Sequence, residues 1–153
     1  MSCGITVPLQ WFFAPGRSLA CAWAYAVRML SQARVHASLP AADLARARAF
    51  YEDKLGLSPA QVYPWALVYE LEGGTQFSVF PTANTGRGGH TQMGFSVADV
   101  RAAVADLKER GVVFEEYDGP ELNTADGIAD MDGHLAAWFK DSEGNFLELV
   151  AAE

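Results

Sequence analysis

The stretch Asp43-Leu44-Ala45-Arg46-Ala47-Arg48-Ala49-Phe50-Tyr51 recurs in outline as Asp99-Val100-Arg101-Ala102-Ala103-Val104-Ala105-Asp106-Leu107. Each copy begins with an aspartate, which is suited to the N-cap of a helix, and continues with apolar residues at helical spacing. A glycine follows shortly after each copy, Gly56 or Gly111, as is common where helices end. We therefore predict one helix in each copy, over residues 43–54 and 99–110.

Short runs of alternating polar and apolar residues precede and follow each helix, a pattern typical of strands. We predict eight strands, over residues 33–39, 60–64, 66–72, 75–80, 91–97, 112–116, 134–140 and 145–150. Each copy is then one strand, one helix and three further strands. The predicted fold class is α+β, with two βαβββ modules over about residues 33–80 and 91–151.

The repeat places polar residues of the two modules at equivalent positions. A step of 56 positions carries His36 onto Gln92, and a step of 70 positions carries Ser78 onto Glu148. The difference between the steps leaves 14 extra residues in the second module, most simply in the loop over residues 117–133. That loop is either a lid over a cleft or a solvent-exposed connection.

Alternation along the strands separates an apolar face from a polar face in each sheet. Leu147 and Leu149 share one face, while Glu148 faces the other way. The apolar face must lie under the helices, and the polar face lines a cleft if the two sheets curl toward each other. The polar face collects His36, Ser38, Gln76, Ser78, Gln92, Ser96 and Glu148.

Aromatic residues are expected to make this cleft suitable for a flat or hydrophobic small organic molecule. Trp138 and Phe139 are adjacent in one strand, so one of them should reach the cleft. We expect Ser78, Tyr69 and Trp138 to line the ligand cleft.

Charge and cysteine content restrict the partners of the chain. Nineteen acidic residues against eleven basic residues give a net charge of −8, and no Lys/Arg cluster is present to neutralise phosphates. Nucleic acid and anionic membranes are therefore disfavoured as partners. The acidity serves solubility or attracts a cationic ligand. Both cysteines, Cys3 and Cys21, precede the repeat, so the domain needs no oxidising compartment, and we expect it in the cytoplasm.

Residues 1–32 belong to neither copy of the repeat. We predict that they are a leader outside the fold, disordered in the simplest interpretation, and that the domain covers residues 33–153. The apolar stretch from Leu19 to Leu30 contains Arg28 and is too short to span a bilayer. A signal peptide is the alternative interpretation, although no Lys or Arg lies near the start of the chain.

The motifs of this chain resemble the vicinal oxygen chelate superfamily, which includes glyoxalase I, extradiol dioxygenases, fosfomycin-resistance enzymes and bleomycin-resistance proteins. The matching motifs are Leu39-x-x-x-Asp43-Leu44-x-x-x-x-x-Phe50-Tyr51-x-x-x-Leu55-Gly56-Leu57, Phe95-Ser96-Val97-x-Asp99-Val100 and Asp141-x-x-Gly144-Asn145-x-x-Glu148-Leu149. The resemblance covers residues 33–151. It implies paired βαβββ modules that form a half-open barrel around a cleft, usually in a homodimer.

Metal enzymes of that superfamily take ligands from the first and last strands of each module. Carried over residue by residue, those places fall on His36, Gln92 and Glu148, with Ser78 at the fourth position. The first three could bind a divalent metal such as Zn, Ni, Mn or Fe, whereas a serine hydroxyl is a poor neutral ligand. An iron dioxygenase would need a histidine at position 92, and a glyoxalase would need a carboxylate at position 78. Both enzyme classes are therefore disfavoured.

Two functions stay open at this point. The preferred hypothesis is a small-molecule-binding protein of the glyoxalase/bleomycin-resistance type with a degenerate metal site, because two strong donors rarely hold a catalytic ion. The alternative is a divalent-metal-dependent lyase or isomerase of the glyoxalase type that uses His36, Gln92 and Glu148. Glu148 is also a candidate general base, since it is an inward carboxylate between apolar neighbours.

Overall fold

The computed structural model describes residues 33–85 and 88–152, and the predicted leader lies outside these ranges. Within them the chain forms nine strands and two α-helices, with a short 3-10 helix over Glu72–Gly74. In chain order the elements are β1 (Ala37–Ala41), α1 (Leu44–Asp53), β2 (Gln61–Tyr63), β3 (Ala66–Glu70), β4 (Gln76–Pro81), β5 (Met93–Val97), α2 (Val100–Glu109), β6 (Thr124–Ala125), β7 (Ile128–Met131), β8 (His134–Lys140) and β9 (Phe146–Ala151).

Both helices begin and end where the sequence predicts. The Asp43 carboxylate accepts hydrogen bonds from two backbone N–H groups of α1 at 2.9 and 3.1 Å, and Asp99 accepts one from α2 at 3.0 Å. These bonds satisfy N–H groups that have no partner inside the helix. Gly56 and Gly111 follow the helices with φ values of 68° and 80°. The two predicted helices are confirmed. In the ranges that the structure describes, neither helix is long and apolar enough to cross a membrane.

The strands form two sheets, with the orders β1-β4-β3-β2 and β5-β9-β8-β7-β6. In each sheet the first strand of the module pairs in parallel with the last strand, and the remaining pairs are antiparallel. The second sheet therefore repeats the order of the first and adds one strand at its edge. This arrangement confirms the predicted α+β fold of two βαβββ modules.

The strand register confirms the internal repeat at the level of single residues. Ala37 pairs with Phe77 in module 1, and Met93 pairs with Leu147 in module 2. The steps of 56 and 70 positions therefore carry one pair onto the other.

One face of each sheet packs under a helix and forms the core. Tyr51 of α1 lies against Tyr69 and Phe77, with ring centroids 5.1 and 5.5 Å away, and the Phe77 ring reaches Phe95 of module 2 at 6.3 Å. The other side of each sheet is called the helix-free face here. Along its central row it carries Ser38, Ser78 and Val68 in module 1, and Gly94, Glu148 and Trp138 in module 2.

The prediction of a strand over residues 112–116 is wrong. Val112 and Phe114 are buried, and only Phe114 makes a bridge, to Phe139. The alternation at 112–114 reflects side chains that enter the core, but a strand also needs a neighbouring strand to pair with. β7 pairs with residues 134–137 of β8, so the 112–116 segment meets only the following part of β8, through the Phe114 bridge and a hydrogen bond from the Glu115 N–H to the Trp138 carbonyl at 2.7 Å.

Part of the segment predicted as a loop, residues 117–133, extends the second sheet instead. It contains β6 and β7, joined to each other and to β8 by the two-residue turns Asp126-Gly127 and Asp132-Gly133. All four turn residues have positive φ values. That is the geometry of the hairpin turn for which Asp-Gly is a strong sequence signal. The extra residues of module 2 therefore add a strand, β6, at the edge of the second sheet.

The turn between β8 and β9, residues 141–145, joins module 2 to the start of α1. The Glu143 carboxylate accepts hydrogen bonds from the backbone N–H groups of Ala42 and Asp43 at 2.7 and 3.2 Å. Arg46 donates two further bonds to it, at 2.7 and 2.9 Å. The Glu143 side chain is fully buried. A carboxylate at this place also interacts favourably with the N-terminal dipole of α1.

Asp141 in the same turn ties the two modules together through the core. Its carboxylate accepts hydrogen bonds from the Tyr51 hydroxyl at 3.1 Å and from Asn145 Nδ2 at 2.8 Å. Asn145 Nδ2 also donates to the backbone carbonyl of Pro40 at 2.9 Å. The position of module 1 against module 2 therefore depends on buried polar contacts as well as on apolar packing.

The Glu143 contacts predict a loss of stability in acid. Burial alone raises the pKa of Glu143, but hydrogen bonds from Arg46, Asp43 and Ala42 outweigh burial and hold the pKa below its ordinary value of 4.5. Because the folded-state pKa is lowered, the stabilisation is present above the unfolded-state pKa and is lost as the pH falls through the folded-state pKa.

We expect the free energy of unfolding, measured in urea from about pH 7 down to about pH 3, to fall more steeply in the wild type than in Glu143→Gln. Equal pH dependence in the two proteins would contradict this assignment.

Candidate functional site

The centre of the helix-free face of module 2 is a row of three residues, Gly94, Glu148 and Trp138, which are direct neighbours across β5, β9 and β8. Glu148 is half-buried, and its carboxylate forms no ion pair with any residue that the structure describes. A β-carbon at Gly94 would lie 3.3 Å from Glu148 Oε2. The carboxylate therefore lies over the Gly94 backbone, where a larger side chain would crowd it.

The Trp138 ring beside this carboxylate is held in place by two contacts. Its Nε1–H donates to the Thr91 hydroxyl at 3.1 Å. The Tyr117 ring stands edge-on to it, with centroids 5.8 Å apart and planes at 85°. Burial, with a smaller contribution from Glu115, raises the pKa of the Tyr117 hydroxyl, so this ring is neutral at ordinary pH. Glu148 thus has one oriented aromatic side chain, Trp138, as its direct neighbour on β8.

The next row of the same face is already occupied by internal contacts. Gln92 Oε1 accepts a hydrogen bond from the backbone N–H of Phe146 at 3.1 Å. Lys140 Nζ lies 2.9 Å from Glu115 and 4.6 Å from the centre of the Phe146 ring. The Lys140 ammonium group therefore forms its ion pair with Glu115 and not with Glu148.

Module 1 has a different set of side chains at the equivalent places. The Ser78 hydroxyl lies 3.1 Å from the Ser38 hydroxyl, and Val68 stands where module 2 has Trp138. His36 is exposed and precedes β1 by one residue, because β1 begins at Ala37 rather than at the predicted residue 33. This row offers neither an aromatic ring nor a charge beside Ser78.

Tyr69 does not lie on the helix-free face, which corrects its expected place in the ligand cleft. It is 1% exposed and stacks on Phe77, with ring centroids 4.6 Å apart and planes at 4°. The register pairs Val68 with Ser78, so its neighbour Tyr69 must point the other way, into the core under α1. Burial, with a smaller contribution from Glu52, raises the pKa of Tyr69 to about 12. Phe139 is likewise in the core, which leaves Trp138 as the member of that pair on the helix-free face.

Of the residues that the resemblance assigns to a metal, His36, Gln92 and Glu148, the first two have other surroundings in the structure. The Gln92 amide oxygen is engaged by the Phe146 N–H, and His36 is exposed ahead of its strand. Among residues 33–85 and 88–152, no group of three or more His, Cys, Asp or Glu side chains is arranged to hold an ion. Divalent ions in proteins are held by several such donors in one shell.

The sequence did not predict Thr91 as part of this site, and it placed Tyr117 near the rim of the cleft without predicting its contact with Trp138. Thr91 holds the Trp138 ring, and the only sequence signal for it is a hydroxyl residue next to Gln92 at the start of a strand. Tyr117 reaches the same ring from the segment after α2. Both contacts join residues that are far apart in the chain or on different elements, so no local sequence pattern predicts these contacts.

Comparison with known proteins gives a matching family and matching structures. The family model described as Glyoxalase/Bleomycin resistance protein/Dioxygenase superfamily matches residues 33–149. TnmS3, an antibiotic binding protein from Streptomyces sp. CB03234, is 25% identical, with 80% of this chain and 97% of that chain covered and a TM-score of 0.60. No curated protein matches the sequence.

Two further solved structures share the fold at lower identity. A glyoxalase/bleomycin resistance protein/dioxygenase from Alicyclobacillus acidocaldarius is 22% identical, with 78% of this chain and 91% of that chain covered and a TM-score of 0.61. A lactoylglutathione lyase from Agrobacterium tumefaciens is also 22% identical, with 79% and 94% covered and a TM-score of 0.55.

Proposed function

Since the chain belongs to the glyoxalase/bleomycin resistance protein/dioxygenase superfamily, we propose that it is a small-molecule-binding protein whose ligand lies on the helix-free face beside Glu148. The observation that carries this proposal is the Glu148 carboxylate, half-buried between Gly94 and an oriented Trp138 and without an ion-pair partner in the described ranges. A few fixed polar groups among aromatic surfaces are typical of sites for small organic ligands.

Binding is preferred over metal-dependent catalysis because of the donor set. This superfamily hosts several chemistries on one scaffold, so the residues of the site must decide the function. His36 is exposed ahead of β1, and the Gln92 amide oxygen already accepts a hydrogen bond from the Phe146 N–H, which weighs against these residues and Glu148 sharing one ion. The 25% identity to an antibiotic binding protein also supports a binding role. A metal-dependent lyase or isomerase is the competing function.

We further propose that the protein works as a homodimer in the cytoplasm. Module 1 exposes several large apolar side chains, among them Val62, Trp65 and Phe80 at 56%, 52% and 37% exposure. Exposed apolar side chains of this size are frequent where a second chain packs. Residues 33–153 contain no cysteine, so the domain needs no disulfide and is compatible with a reducing compartment. Light scattering after size-exclusion chromatography should give twice the chain mass.

Metal analysis and a ligand screen test the binding function together. In protein purified without chelators, we expect Zn, Ni, Mn and Fe far below one ion per chain. In a thermal-shift screen of small organic molecules, we expect ligands that stabilise the wild type and Glu109→Gln but stabilise Glu148→Gln less, because a ligand raises stability only through its preference for the folded state. Glu109 is an exposed residue of α2, so its variant matches the change in charge away from the site.

One metal ion per chain that is lost in both His36→Ala and Glu148→Gln would replace this proposal with the metal-dependent enzyme. A screen in which every stabilising ligand acts equally on wild type and Glu148→Gln would remove the site beside Glu148.

A further inference from the structure

We infer that Glu148 and Trp138, with Tyr117 packed edge-on against Trp138, form a subsite for an organic cation, a quaternary or protonated amine carried by the small-molecule ligand. This inference rests on the proposed binding function and names the chemistry of the group that the site selects. Glu148 lies where the resemblance places a metal ligand, but its neighbour on β8 is aromatic. That neighbour is Trp138, which packs against a second aromatic side chain, Tyr117.

The charge of Glu148 lacks a counter-charge inside the described part of the chain. A carboxylate that is partly removed from water is stable when a cation or hydrogen-bond donors accompany it. Lys140 lies on the same face, but its ammonium group is paired with Glu115 at 2.9 Å. A cation brought by the ligand would supply the missing partner, and the net charge of −8 favours its approach.

The aromatic rings select an organic cation over a bare metal ion. A cation within about 6 Å of the centre of a tryptophan or tyrosine ring is attracted by the electron-rich face, and quaternary ammonium groups are bound in this way. Trp138 is the direct neighbour of Glu148 across β8 and β9, and Tyr117 stands edge-on to it at 85°, so the ring beside the carboxylate is held in one orientation. The same sheet face already holds one cation over a ring, since Lys140 Nζ lies 4.6 Å from the centre of Phe146.

The repeat limits this subsite to module 2. The equivalent row of module 1 is Ser38, Ser78 and Val68, which has no charge and no aromatic ring. A chain should therefore bind one cation rather than two.

Choline and its neutral isostere 3,3-dimethylbutan-1-ol test this inference, because the two molecules differ only in the charged nitrogen. Binding is measured by calorimetric titration of the full chain at low salt. We expect the wild type to bind one choline per chain and to prefer it over the neutral alcohol by at least about tenfold. Added salt should reduce this preference.

Three variants make the test specific. Glu148→Gln keeps the shape of the side chain and should reduce the preference below about threefold, while Trp138→Leu should weaken choline binding with Glu148 still present. Glu109→Gln should bind both probes as the wild type does. Circular dichroism checks that each variant is folded.

Equal binding of the two probes to the wild type, binding of neither probe, or a cation preference that survives in Glu148→Gln would overturn the cation subsite. Each of these results leaves the proposed binding function standing as long as the ligand screen yields neutral molecules that depend on Glu148. A screen without any such ligand would overturn the binding function itself.

Discussion

Replacing Glu143 by alanine should lower the free energy of unfolding by about 2–3 kcal/mol. The buried Glu143 carboxylate accepts hydrogen bonds from Arg46 and from two backbone N–H groups at the start of α1. Hydrogen bonds to a charged acceptor are stronger than neutral ones, and the variant loses all of them together. Arg46 is 54% exposed, so most of the loss should come from the backbone contacts and from packing.

Urea unfolding near neutral pH measures this loss, and Arg48→Ala in the same helix is the matched control. Arg48 forms an exposed pair with Glu52 at 2.9 Å, and such pairs contribute about 0.5 kcal/mol or less. If Glu143→Ala and Arg48→Ala were equally stable, the turn over residues 141–145 would not hold the modules together as described.

Replacing Gly127 by alanine should lower the free energy of unfolding by about 3 kcal/mol, through two separate effects. Gly127 has a φ of 77°, a conformation that costs alanine about 1–2 kcal/mol. An added β-carbon would also lie 2.6 Å from the Cβ atom of Phe114. Phe114 is buried, so it has little room to move away from the new methyl group.

Gly133→Ala separates the two effects, because Gly133 occupies the same place in the next hairpin turn. Its φ is 92°, but an added β-carbon would have no atom within 4 Å. We therefore expect only the backbone cost, about 1–2 kcal/mol, in this variant. Equal losses in the two variants, measured by thermal and urea unfolding, would show that Phe114 does not press against the turn.

The relation of sequence to structure differs between the core and the candidate site. The placement of Glu148 opposite Leu147 and Leu149 follows from alternation alone, and the structure has this arrangement. Tyr69 is expected in the cleft, but the register that pairs Val68 with Ser78 turns its side chain into the core. The Asp-Gly turns at 126–127 and 132–133 are local signals for the hairpins of β6, β7 and β8, whereas the alternation at 112–114 predicts a strand that the structure does not form.

The sequence by itself determined the two helices, their caps, the internal repeat and the side of the sheet on which most polar residues lie. These features depend on residues within a few positions of each other, or on a period that one chain shows twice. Only the tertiary structure decided the junction and the surroundings of Glu148. Ala42 meets Glu143 across 101 positions, and Thr91 meets Trp138 across 47. Contacts at such separations form only when the two modules have packed and their strands have paired, and for that reason no local pattern encodes them.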